Sequence, residues 1–180
     1  VEASVNPFAG FWIDGGYAYL NTKITEIAPI ISNDPNFVVS IAIPKGAPLF
    51  QAPKHKLSAT ARYVLETDED VGEVSFGATY TYTATRIASY AYDLRTAGGV
   101  AARHLYDGVD HGTLPAYSLV NLNLNWKGIA GSPLDLAFFA TNITGKKYYA
   151  GMGGVGAAFG FESFAIGEPR MYGMRARYNF

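Results

Sequence analysis

The chain has 180 residues, a net charge of -1, 16% charged and 14% aromatic side chains and no cysteine, against roughly 25% charged residues in ordinary soluble proteins. Without a Lys/Arg run it has neither the footprint of a nucleic-acid binder nor a charge-driven hold on an anionic membrane surface, and without cysteine it has no disulfide scaffold, thiol catalysis or thiolate-bound zinc. No stretch approaches the roughly 20 uninterrupted apolar residues of a spanning helix, so any membrane would be crossed as strands.

In chain order, Val1 to Val5 reads as the end of an earlier strand. Phe11 to Thr25 then sets Phe11, Ile13, Tyr17 and Tyr19 on one face, and Lys56 to Glu66 sets Leu57, Ala59, Ala61, Tyr63 and Leu65 opposite Ser58, Thr60 and Arg62. Glu73 to Thr85 alternates most cleanly: Val74, Phe76, Ala78, Tyr80, Tyr82 and Ala84 oppose a face of Ser75, Gly77 and threonines. Successive strand side chains point to opposite sides, so one face is greasy and the other carries hydroxyls. From Val74 to Ala84 the rise is about 33 Å, which a tilt near 40° projects to about 25 Å, the height of a barrel's apolar band.

Val120, Leu122, Leu124 and Trp126 alternate with Asn121, Asn123 and Asn125. Asparagines in register are costly in a dry core, whereas a watery lumen hydrates them. Leu134, Leu136, Phe138 and Ala140 begin another strand, and Tyr172, Met174, Ala176, Tyr178 and Phe180 share the apolar face of the last. That strand alone leaves both an outer-membrane barrel and a soluble sandwich open.

Asn6 to Gly10, Thr67 to Asp70 and Lys127 to Pro133 are short and rich in turn formers, while Ile27 to Gln51, Ile87 to Thr113 and Ala150 to Glu168 are long. This is the asymmetry of outer-membrane barrels, with short periplasmic turns and long extracellular loops. It puts Tyr17, Tyr19, Tyr80, Tyr82 and Tyr172 toward the long-loop rim and Tyr63, Trp126 and Tyr178 toward the short-turn rim, as two aromatic girdles. The expected class is all-β, an antiparallel transmembrane barrel. Six to seven strands fall short of the eight or so that closure requires. The chain also starts without methionine or a secretory signal, so residues 1–180 are expected to be the carboxy-terminal segment of one larger barrel domain.

The run from Leu134 through Asn142, Lys146, Lys147 and Tyr148 to Tyr149, followed by a glycine-rich loop, Gly167-Glu-Pro169-Arg170 and the alternating end, resembles the last two strands of TonB-dependent outer-membrane receptors. Ile143, Thr144 and Gly145 are mild departures from that pattern. Ala52-Pro53 leading into Leu57 and Tyr63 is similar to the family's recurring strand start. The resemblance implies about 22 strands in all, an amino-terminal plug and TonB-coupled uptake of a scarce nutrient across the Gram-negative outer membrane. The commonest cargo it implies is a ferric siderophore. It also implies that the barrel-assembly machinery recognises Tyr172, Met174, Ala176, Tyr178 and Phe180. Partners are then the rest of the barrel with its plug, TonB through the absent part, membrane lipid and the ligand.

The long connection after the threonine-faced strand gathers Tyr90, Tyr92, Arg95, Arg103, His104, Tyr106 and His111, with Asp107 and Asp110. Arginine and tyrosine can hold an anionic, aromatic iron complex by charge and stacking, and the same composition also suits a solvated loop. Two histidines seven positions apart are unspecific as metal ligands, so no metal site or cofactor is expected. No nucleophile triad, phosphate-cradling glycine loop or paired carboxylate motif appears, which argues against an enzyme. A passive porin is the alternative to the receptor.

Overall fold

The computed structural model describes residues 1–26, 45–90, 112–153 and 163–180. Its strands are β1 (Glu2–Phe8), β2 (Phe11–Tyr19), β3 (His55–Val64), β4 (Glu73–Thr83), β5 (Arg86–Ile87), β6 (Thr113–Leu114), β7 (Tyr117–Lys127), β8 (Leu134–Thr141), β9 (Tyr149–Gly153), β10 (Ser163–Ile166) and β11 (Met171–Tyr178), with a 3₁₀ turn at Ile129–Gly131. Seven of them make one antiparallel sheet in the order β1-β2-β3-β4-β7-β8-β11. Each long strand lies beside its predecessor among the long strands, while β5–β6 and β9–β10 form separate two-stranded ladders within the connections. The sheet is open, with β1 and β11 at its edges.

The register carries the alternation across the whole wall. Val5, Ile13, Ala61, Ala78, Leu122, Ala140 and Tyr172 are successive partners from β1 to β11. One position along, Ser4, Asp14, Thr60, Thr79 and Asn121 form a polar row on the other face. Within it Ser4 donates to Asp14 at 2.6 Å and the Thr60 and Thr79 hydroxyls meet at 3.1 Å.

On β4 the burial is inverted relative to a water-soluble sheet. On β4 the apolar Phe76 is 44% exposed while its polar neighbour Ser75 is 1% exposed. A soluble protein would do the opposite, because burying apolar area is the main driving force of folding. Here the greasy face of the strand is the open one, the arrangement that suits a strand whose apolar side meets hydrocarbon. Buried apolar side chains among the described residues, Ala47, Ala84, Tyr90 and Leu114, lie at the long-loop end instead.

Several boundaries differ from the sequence expectation. The strand expected over Phe11 to Thr25 leaves the sheet after Tyr19, because Thr22 turns to accept from Leu49 N–H (3.0 Å) and Ile24 pairs with Ala47. The connection expected at Asn6 to Gly10 shrinks to Ala9 and Gly10, since β1 runs to Phe8 with a register shift between Val5 and Phe8. Pro7 sits in that irregularity, where its missing N–H costs no regular ladder bond. The strand expected to reach Thr85 ends at Thr83. The short-turn end is stitched by side chains: Trp126 Nε1 donates to Val71 O at 2.8 Å, Lys127 pairs with Glu73 at 2.8 Å, and Asp135 accepts from Gly128 N–H at 2.9 Å and Asn179 at 3.2 Å.

Candidate functional site

At the opposite end, the described parts of three long connections (within 20–54, 84–116 and 142–170) come together. The first two share a small apolar base in which Phe50 packs edge-on against Tyr90 at 4.9 Å and Gln51 N–H donates to Ile87 O at 2.9 Å. Tyr90 is 1% exposed and its hydroxyl donates to Pro48 O.

Arg86 joins all three connections. Its Nε donates to Gln51 Oε1 at 2.9 Å, its Nη2 donates to Tyr149 O at 3.0 Å and Ala150 O at 2.9 Å, and its guanidinium lies 5.6 Å from the Tyr117 ring centre. It is 7% exposed, and Nη1 has no hydrogen-bond partner among the described residues. Neutral carbonyls and a ring face therefore solvate this cation, a role that suits the weakly hydrated, forked guanidinium better than an ammonium. Tyr117 in turn stacks on Tyr148 at 4.3 Å. The Tyr148 ring also covers Gly167 so closely that a Cβ there would overlap it.

Asn142 closes the last connection. Its backbone takes a left-handed φ of 47°, a region where asparagine is among the few tolerated residues. Its N–H donates to Asn121 Oδ1 at 2.9 Å. Its Nδ2 donates to Lys146 O at 2.9 Å and Glu168 O at 3.0 Å, while its Oδ1 accepts from Lys146 N–H at 2.8 Å. One side chain, 3% exposed, thus ties the Ile143–Lys147 turn to the Gly167–Arg170 segment. Beside it, Lys146, Lys147, Tyr149, Glu168 and Arg170 line a recess of about 650 Å³. That recess offers cations, a phenol and backbone groups to a ligand arriving from the loop side.

Of the residues expected to meet ligand, Tyr90 packs in the loop base, and Tyr92, Arg95, Arg103, His104, Tyr106 and His111 lie outside the described residues. Tyr172, Met174, Ala176 and Tyr178 alternate along β11 as expected, all exposed, and the Tyr178 and Phe180 rings meet at 5.3 Å. Sequence reading did not single out Arg86 and Tyr117. Asn142 and Tyr148 belong to the motif quoted above, and the structure shows what they hold.

Residues 1–143 match the family model described as TonB dependent receptor-like, beta-barrel. No curated protein matches the chain. Among solved structures, the chain is similar to the ferric yersiniabactin uptake receptor FyuA from Yersinia pestis (13% identity over 99% of this chain and 22% of that one, TM-score 0.65). It is similar to the siderophore receptor PiuA from Acinetobacter baumannii (14% identity, 97% and 20%, TM-score 0.63) and to the ferripyoverdine receptor of Pseudomonas aeruginosa (17% identity, 99% and 19%, TM-score 0.58). It spans about a fifth of the length of each. The open seven-stranded wall, the inverted burial of β4 and the family match lead to one assignment: the chain belongs to the β-barrel family of TonB-dependent receptors, as part of such a barrel.

Proposed function

We propose that this chain supplies the closing strands and extracellular loops of an energy-coupled receptor in the Gram-negative outer membrane, and that its cargo is a ferric siderophore. The observation that carries this reading is that the similar barrels named above are each described as receptors for such iron complexes. The plug, the earlier strands and the segment that contacts TonB belong to the rest of the protein. Segment 91–111, with Tyr92, Arg95, Arg103, His104, Tyr106 and His111, belongs to the connection between β5 and β6 and supplies positive charge and rings suited to an anionic complex. In iron-starved cells carrying the full-length protein, uptake of radiolabelled ferric siderophores from a panel is expected to be saturable and to vanish when TonB is deleted. Uptake that persists without TonB and rises linearly with concentration would replace the receptor with a passive channel.

The same reading assigns Tyr172, Met174, Ala176, Tyr178 and Phe180 to recognition by the barrel-assembly machinery. Deleting Phe180 from the full-length protein is expected to lower the amount of heat-modifiable barrel in purified outer membranes several-fold. An unchanged band would remove that role from the terminal residue.

A further inference from the structure

Phe139 breaks the pattern of its strand. On the polar face β8 carries Asp135, Ala137, Phe139 and Thr141, so this exposed ring stands among small and polar groups, on the side that does not meet hydrocarbon. It covers Gly173, its partner on β11, so closely that a Cβ there would overlap the ring. Gly173 is the one glycine of β11, and its φ lies outside the left-handed region. Glycine weakens a strand interior, and the backbone angle does not require it here. The room taken by the ring does.

The adjoining strand pair repeats the arrangement. Gly77, Asn123, Phe139 and Gly173 are successive partners from β4 to β11. The Asn123 amide covers Gly77 as Phe139 covers Gly173, and Gly77, the one glycine of β4, also keeps an ordinary φ. The two inner members of the row thus lean apart, each onto a glycine of an outer strand. Gly16 is the contrast: it lies on the same polar face beside Ser58, and a Cβ there would meet nothing closer than Glu2 Cγ at 4.0 Å.

Both covered glycines belong to strand pairs joined by long connections, 84–116 and 142–170. A tight turn fixes the register of a hairpin, and a long connection does not. Alternation does not fix it either, because a slip of two residues returns every side chain to its own face. Such a slip along β11 would bring Met171 or Arg175 under the Phe139 ring in place of Gly173, and along β4 it would bring Ser75 or Thr79 under the Asn123 amide. Each of these side chains needs the space that the covering group fills.

We infer that these glycines are register keys: Phe139 on Gly173 and Asn123 on Gly77 select the pairing of strands that the chain joins only through long connections. Phe139 is then a positioning residue for β11, since a slip of two residues would move the whole apolar face of that strand, Phe180 included, by about 7 Å along its length. The inference rests on the sheet and its register, not on the cargo or on TonB coupling.

The test is disulfide trapping in the full-length protein, freed of other cysteines and assayed in purified outer membranes. Cysteines at Ala140 and Tyr172 report the observed register, while cysteines at Ala140 and Met174, or at Leu136 and Met174, report the two slipped ones. Phe139→Ala is expected to raise the slipped crosslinks about fivefold over the unmodified protein, the order of one cross-strand aromatic pair. Gly173→Ala is expected to lower the heat-modifiable fraction several-fold, Gly16→Ala to leave it unchanged, and Phe139→Ala added to Gly173→Ala to restore it by removing the overlap. Exchanging the partners, Phe139→Gly with Gly173→Phe, moves the ring to the other strand and is expected to return crosslinking to the observed register. An unchanged crosslinking pattern in Phe139→Ala would overturn the inference. So would equal damage from Gly16→Ala and Gly173→Ala, no recovery in the double alanine variant, or slipped crosslinks that persist in the exchanged protein.

Discussion

Replacing Asn142 by alanine in the full-length barrel is expected to cost about 2 kcal/mol, because it removes the partner of part-buried polar groups and puts a Cβ-bearing residue without a local hydrogen bond in the left-handed region. The groups stranded are Lys146 N–H, Lys146 O and Glu168 O, all bound by this one side chain. Asn142→Gly separates the two contributions: glycine takes the φ of 47° without strain but makes none of the side-chain bonds. If hydrogen bonding dominates, glycine and alanine lower the temperature at which the heat-modifiable band is lost by similar amounts. If backbone strain dominates, glycine is close to the unmodified protein. A midpoint unmoved by either change would show that the last connection is held by something other than this latch.

The second large effect is expected at Arg86. Arg86→Met keeps much of the side-chain volume but abandons the acceptors on Gln51, Tyr149 and Ala150 and the cation against Tyr117. The loss is expected to be about 2 to 3 kcal/mol from unpaired acceptors, felt as local opening of the loop base and not as unfolding of the wall. When opening is fast relative to cleavage, proteolysis follows the open population, so cutting in the connection between β8 and β11 by an external protease should accelerate about 30- to 150-fold. Arg86→Lys should recover little, because an ammonium cannot reproduce the planar fork. Equal cleavage rates in all three proteins would mean that the connections hold together without this residue.

The wall was legible in the sequence because its two faces meet different media. Hydrocarbon on one side and polar contents on the other impose a period of two with no exceptions needed for a shared dry core, so Val74 to Tyr82 and Asn121 to Asn125 declare their faces locally. Strand ends at the long-loop side were less legible. Tyr19 and Thr83 end their strands for reasons set by distant residues: Ile24 meets Ala47, Leu49 N–H binds Thr22, and Ala84 N–H binds His55 O. The short ladders β5–β6 and β9–β10 are too brief to show alternation. Arg86 was invisible for the same reason, since its acceptors lie 35, 63 and 64 positions away. Asn142 was visible as part of a motif, but its work depends on a backbone angle that no spacing rule reveals.

The ordering of the sheet has a kinetic consequence. Every long strand pairs with the long strand before it, so assembling this wall requires only successive hairpin closures, and the chain between partners enters each closure logarithmically. Doubling a connection adds about 0.6 kcal/mol of closure entropy. Long external connections are thus nearly free in the search for pairing, and they can lengthen or change composition without slowing the zippering that builds the barrel. With the closing role proposed for this chain, rate control shifts to the β11 edge, where pairing would join the wall to a strand far away in the chain.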